Sequence, residues 1–513
     1  MTFAYNEPLY FAGFLPCAVL AYQLCPKKYR WLVLLAFNYI FFFIWSRWLL
    51  VFNLITVMVT YWIGKILGGM KKAPAGTDRK AFKKKKTRIM TAGILFNLMI
   101  LIVLKYTDFI GTNLGHLFSF EFHPFHWAVP VGISYYTLQS ISYLADVRDR
   151  KTEPADHLYK LALYMSFFPA IMQGPISAWG QIGEDLSAGK DVSWNNLVVG
   201  FERILLGLFK KVMIADHMAS AVKIIFADYT HDGAVALLGA VLCTLQLYMD
   251  FSGTIDIAIG SGRIFGVTLP ENFRQPFFAK NASEFWRRWH ITLGVFLRTY
   301  VFYPVSLSKP VQALTKWTKA HFGKTAARFV TPLTALFCVW ICNGLWHGPY
   351  WTYILYGMYY FVIIFIELLL ENPVKAFNER FHLDENGWGW KLFRFIKLFI
   401  IVIIGEMFFL APDFNTGWQM LVSILTNFHL SSLAENWLNV GMGVHDYVIV
   451  IIGYVLIFLW GVLKETGYPL RQRFEKLPVY ARWGLLYAVI TAVILFGAYG
   501  PGYDAVAMMY AGF

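Results

Sequence analysis

Charge is scarce in this chain. Of 513 residues only 15% are Asp, Glu, Lys or Arg, while 58% are hydrophobic, and a soluble domain carries about 25% charged residues. That shortage excludes a soluble globular protein. Cysteine is also rare: Cys17, Cys25, Cys243, Cys338 and Cys342 lie in or beside apolar runs without paired ligand spacing, so neither disulfides nor a zinc or other metal site is expected. No ten-residue segment alternates as a membrane barrel strand does, and no internal repeat of the kind common in secondary carriers is present. The N-terminal MTFAYNEP has no basic n-region and no small-residue cleavage site follows it, so the first apolar segment reads as an anchor and not a signal peptide.

What the chain does have is a succession of long apolar runs. A spanning helix takes roughly 20 such residues, because backbone N–H and C=O groups must be satisfied internally where no water is available. Candidate runs fall near 8–25, 31–45, 48–68, 90–105, 128–145, 159–175, 196–214, 233–260, 292–304, 328–347, 351–370, 393–411, 446–463 and 483–500. Several are short or interrupted, which leaves about 12 true spans, the others being tilted, re-entrant or interfacial. The expected architecture is an all-α polytopic membrane protein forming one domain over 1–513, with N-terminal helices over 1–125, a core over 126–370 and further helices over 371–513.

The net charge of +14 invites a nucleic-acid reading, but its placement decides against one. The run 71-KKAPAGTDRKAFKKKKTR-88 sets nine Lys or Arg against one Asp between two apolar segments, which marks a cytoplasmic loop. Counting from it puts Lys27, Lys28 and Arg30 inside with the N-terminus outside, and puts Arg148, Arg150, Lys151 and the basic stretch 464–482 inside as well. These runs read first as topology signals, and second as contacts for anionic membrane lipid.

Ionisable residues within apolar spans are candidate functional sites. In 246-QLYMDFSGTIDIAIGSGRIFG-266, Asp250 and Asp256 are six residues apart, about 120° around a helix, so they share no face and make no obvious catalytic pair. The glycines there indicate a broken helix or a close backbone approach. The segment 270-PENFRQPFFAKNASEFWRRWHITLGVFLRTYVFYP-304 is too charged to face lipid and too aromatic for a free loop. It suits a re-entrant or amphipathic piece buried in protein. A helix capped by Asn281 or Ser283 with Glu284 in its first turn is expected, with Trp286 and His290 as i, i+4 neighbours on one face. Arg274, Lys280, Arg287, Arg288 and Arg298 make this stretch positive, suited either to the phosphates of a coenzyme or carrier arm or to headgroup anchoring. In 341-ICNGLWHGPYWTYILYG-357, Asn343 and His347 are about 40° apart on one helix, which Gly348 and Pro349 end. A neutral imidazole there has the form a general base requires, whereas a structural histidine beside an aromatic belt is the plainer reading. Cys342 lies about 140° from His347 and is a poor nucleophile partner for it. Glu406, alone in 399-FIIVIIGEMFFL-410, is expected to meet an Arg or Lys.

Taken together, 134-SYYTLQSISYLADVRDR-150, 167-FFPAIMQGPI-176, 248-YMDFSGTIDIAIG-260, 272-NFRQPFFAKNASEFWRRWHITL-293 and 343-NGLWHGPYWTYILYG-357 carry a resemblance to the membrane-bound O-acyltransferases, in the bacterial branch that includes alginate O-acetyltransferase and the teichoic acid D-alanyl transfer protein. The resemblance implies a ring of tilted helices around a central tunnel. His347 of the WHG motif is then the essential residue in that tunnel, and His290 of RRWH a second polar position. It also implies acyl transfer from a thioester, acetyl-CoA or an acyl-carrier protein, to a hydroxyl, with no bound cofactor. His347 would act as base, Trp346, Trp286 and Asp250 would support the tunnel, and the basic residues would face the cytosolic donor; the placement of Asn343 and His290, not the resemblance, suggests one of them as donor to the oxyanion.

Two departures qualify the match. The branch commonly carries Arg-Asp-Tyr where this chain has Arg298-Thr299-Tyr300, so the charge partner of Arg298 is either missing or supplied from elsewhere. The long stretch after His347 favours the polysaccharide-acetylating branch, whose members hand the acetyl group to an exported hydrolase-like partner and so to a polysaccharide. The expectation is therefore an acetyltransferase of a bacterial cytoplasmic (inner) membrane. The alternatives are D-alanyl transfer to teichoic acid, or a glycan or lipid transporter in which Asp250 and Asp256 would be essential.

Overall fold

The computed structural model describes residues 5, 7–71, 78–385, 387–499 and 503. Among them every regular element is helical and no strand occurs. Seven helical stretches are long and apolar enough to cross a membrane: Lys27–Gly69, Arg79–Phe118, Gly233–Ile264, Lys309–His347, Trp351–Arg380, Val444–Glu465 and Val479–Phe496. Of the other expected runs, 393–411 lies in the unbroken 23-residue helix Trp388–Leu410, and the rest are helical but shorter or broken. The 159–175 run is helix only over Leu158–Ser166, beyond which Pro169 and Pro175 lack the N–H that a continuing helix would use. The Lys309–His347 helix kinks at Gly323, whose φ of 81° lies where only glycine sits without strain.

The chain divides into two compact units. Among the described residues, one holds those up to Ile204 together with Thr254–Pro270, and the other holds Leu205–Gly253 and those from Glu271 onward. In the first, Leu50–Gly69, Arg79–Leu101 and Ile133–Asp149 are tied by polar side chains within an otherwise apolar packing. Thr60 and Ser140 hydroxyls meet at 2.7 Å, and the Asn97 amide donates to both at 3.1 and 2.6 Å. Such hydrogen bonds hold helices together where lipid offers no competing partner.

The Gly233–Ile264 helix is unbroken over its 32 residues, so of the two readings of its glycines the close approach is the one realised. Within the second unit a Cβ on Gly253 would lie 2.8 Å from the Gly207 carbonyl, and within the first a Cβ on Gly260 would lie 2.5 Å from that of Gly200. Neither position can accept a larger side chain without moving a backbone.

Candidate active site

The second unit brings the aromatic and histidine motifs together. The Lys309–His347 helix ends at His347, as expected, because Pro349 lacks an N–H and disfavours helix at the residue before it. Its last turns carry Asn343, Trp346 and His347, with Asn343 and His347 only 4% and 3% exposed. Four aromatic rings collar the His347 imidazole: Trp346 at 5.0 Å, Phe409 at 5.0 Å, and Tyr353 and Tyr356 both at 6.0 Å between centroids. Trp346 also meets His290 edge-on at 5.2 Å, and Phe251 closes on His290 from another side at 4.9 Å. Both histidines named by motif are thus buried neighbours of one indole.

The helix bearing the two arginines starts as expected: Asn281 accepts the Glu284 backbone N–H at 2.8 Å, with Glu284 in the first turn. It ends earlier than the i, i+4 reading assumed. The helix covers Ala282–Arg288, and His290 takes a left-handed backbone with φ of 45° before a second helix, Ile291–Leu297. His290 therefore does not follow Trp286, whose ring packs instead on Trp340 at 4.9 Å and Tyr360 at 4.8 Å. The cause is Asn272, buried at 0% exposure. Its carbonyl accepts Ile291 N–H at 3.0 Å, and its side-chain oxygen accepts Thr292 N–H at 3.0 Å. This pins the turn and satisfies donors that a continuous helix would have paired internally. Nothing in the sequence marked Asn272 beyond its place in a motif.

The basic residues divide into two groups. Arg288 is bound by Glu284 at 2.8 Å and by Glu465 at 2.9 Å, so its charge is balanced within the protein. Arg274, Lys280, Arg287 and Arg298 are exposed, and they leave positive charge on the surface beside the RRWH turn.

Asp250 and Asp256 point to different partners, in keeping with their 120° separation. Asp250 meets Lys211 at 2.7 Å in the second unit, and Lys211 also meets Asp216 at 2.5 Å. Asp256 meets Arg203 at 2.7 Å in the first unit. Lys211 is 0% exposed and sits where the helix locally widens to a π turn, Lys211–Ala215. An ionisable residue inside the apolar 196–214 run was the available signal for it. Glu406, also 0% exposed, meets no Arg or Lys among the described residues, contrary to expectation. It accepts the Tyr356 hydroxyl at 2.9 Å, which places its carboxyl group one ring away from His347.

Chemically, the site offers two buried imidazoles, one amide side chain and an aromatic lining that excludes water, with exposed cationic groups beside it. Such a set has the chemistry to take up and return a proton.

The chain is similar to known proteins. The family described as "MBOAT, membrane-bound O-acyltransferase family" matches residues 84–411. The chain is 30% identical over 92% of its length, and 87% of the relative's, to a "Probable alginate O-acetylase" of Azotobacter vinelandii. It is 28% identical over 85% of its length, and 83% of the relative's, to a "Peptidoglycan O-acetyltransferase" of Helicobacter pylori. To a "Teichoic acid D-alanyltransferase" of Bacillus subtilis it is 26% identical over 64% of its length and 79% of the relative's. A family match over more than half of the chain, joined to 30% identity over 92% of it to one relative, places this multi-pass membrane protein among the O-acyltransferases: it belongs to the membrane-bound O-acyltransferase family.

Proposed function

We propose that this protein moves an acetyl group from a cytosolic thioester, acetyl-CoA or an acyl carrier, to a hydroxyl of an extracytoplasmic polysaccharide or of a hydrolase-like partner that serves it. The observation that carries the reading is the pairing of His347 and His290 about Trp346 in a chain of this family. In the proposed reaction neutral His347 takes the acceptor's hydroxyl proton while the oxygen attacks the thioester carbonyl, a contribution of roughly 10²–10⁴-fold. The Asn343 side chain donates to the oxyanion. The tetrahedral intermediate then expels the thiolate, which takes up the proton from His347, so that ester and thiol leave with no net proton change.

The path implied is a tunnel through a ring of about 12 spanning helices, with Trp286 and Asp250 in its supporting wall and Arg274, Lys280, Arg287 and Arg298 at the cytosolic mouth, in a bacterial cytoplasmic membrane. Acetyl is favoured over D-alanyl because similarity to the acetylating relatives extends over 92% and 85% of the chain, against 64% for the D-alanyl relative. A transporter reading would want titratable acids in the path, and both Asp250 and Asp256 are instead engaged by cations.

The test uses purified protein in nanodiscs with labelled acetyl-CoA, for wild type, His347→Ala and His290→Ala, with monodispersity as the folding check. Loss of thioester consumption in folded His347→Ala is the expected result. Consumption by both variants at the wild-type rate would overturn the reading. A carrier-protein donor that works where acetyl-CoA does not would move the assignment to D-alanyl transfer.

A further inference from the structure

The Asn272 side-chain oxygen does more than pin a turn. It accepts the Thr292 backbone N–H at 3.0 Å and the Thr292 hydroxyl at 2.9 Å, and it stands 3.3 Å from His290 Nδ1. A backbone N–H can only donate, so the Asn272 atom facing this cluster is its carbonyl oxygen and not its amide nitrogen. An oxygen can only accept from the ring, and Nδ1 of His290 therefore carries a proton. The ring is buried, 2% exposed, between Phe251 and Trp346, and its Nε2 has no hydrogen-bond partner among the described residues. A neutral imidazole with its proton on Nδ1 presents a lone pair at Nε2.

We infer that Asn272 is a positioning residue that holds His290 in the Nδ1–H form, so that His290 Nε2 meets substrate as a hydrogen-bond acceptor. This rests on the acyl-transfer reading above and sharpens it. An acceptor cannot stabilise an oxyanion, so of the two donors considered for that role Asn343 is left. The group opposite His290 must bring its own proton, either the acceptor's hydroxyl or an amide N–H of the thioester donor's arm. Burial without a charge partner also pushes the imidazole down to about 3, which keeps the ring neutral at any working pH. The left-handed backbone of His290 fits a residue whose orientation is imposed by its surroundings, since such conformations persist only where neighbouring contacts over-determine them.

Solid-state ¹⁵N NMR on histidine-labelled protein in lipid reads the tautomer directly and needs no turnover, the His290 signals being those lost in His290→Gln. The expected wild-type pattern is a protonated Nδ1 and a pyridine-type Nε2, and the expected effect of Asn272→Ala is a mixed or reversed pattern. A protonated Nε2 in the wild type overturns the inference, even if no Asn272 variant folds. In kinetics, folded Asn272→Ala should lose about tenfold in activity, the scale of one hydrogen bond. The loss falls on kcat if a hydroxyl faces Nε2 and on the donor's KM if an arm amide does. An altered tautomer with unchanged kinetics would also overturn it. A wild type that shows the expected tautomer and transfers no acyl group would discard the acyl-transfer reading alone.

Discussion

His290 and His347 meet through a single ring, with the Trp346 indole edge-on to the first at 5.2 Å and to the second at 5.0 Å. The two imidazoles come from segments 57 positions apart in sequence, and that one side chain packs on both. Trp346→Ala should therefore lower acyl transfer by about 10²-fold, the penalty of a misplacement near 1 Å, while Trp346→Phe, which keeps a ring, should lose much less. Steady-state turnover of the two folded variants decides. Equal rates for Trp346→Ala and wild type would show that the indole does not align the site.

The exposed cations beside the RRWH turn should act on donor binding. Replacing Arg274, Lys280 and Arg287 together by Gln is expected to raise the KM for the thioester several-fold with kcat little changed. Added salt should raise the wild-type KM and have less effect on the triple variant, because exposed charges are screened. A salt response that is identical in both proteins would remove these residues from the donor site.

Lys211 lies fully buried between Asp216 and Asp250. Removing the cation from such a group strands buried charge, which costs about 3–5 kcal/mol. Lys211→Met should thus lower the thermal stability of the protein in detergent sharply. Adding Asp216→Asn and Asp250→Asn should recover much of it, a pattern that loss of packing alone would not produce.

Glu406 has its one described hydrogen bond from Tyr356 and no exposed surface. Tyr356→Phe removes that donor from a buried acceptor and should cost about 1–3 kcal/mol. In the Glu406→Leu background the same change should cost far less. A double-mutant cycle on unfolding temperatures that shows simple additivity would refute the coupling.

Glu284 lies outside the spanning helices. Burial works to raise its carboxyl, but the Lys280 backbone N–H and the Arg288 guanidinium outweigh it and hold the group below its ordinary 4.5. A folded value that is depressed makes a contribution present above the ordinary value and lost as pH falls through the folded one. The difference in melting temperature between wild type and Glu284→Gln should accordingly be largest near neutral pH and close on acidification. A difference independent of pH would assign the effect to packing.

Composition and periodicity alone determined that the chain is a helical membrane protein. An apolar backbone with few charges has no other way to satisfy its N–H and C=O groups in lipid. The end of the helix at His347, the cap at Asn281 and the separation of Asp250 from Asp256 were equally legible, because each depends on residues within a turn or two. The motifs marked His347 and His290. Tertiary structure alone decided the rest. Trp286 was set apart from His290, because the distant Asn272 stops the helix between them. The acid of Glu406 was given a tyrosine where a cation was expected, and Lys211 was placed between two carboxylates. Asn272 with Thr292, Lys211 with Asp250 and Tyr356 with Glu406 are 20, 39 and 50 positions apart and lie in different segments, and a local pattern holds no record of which faces will meet once the helices pack.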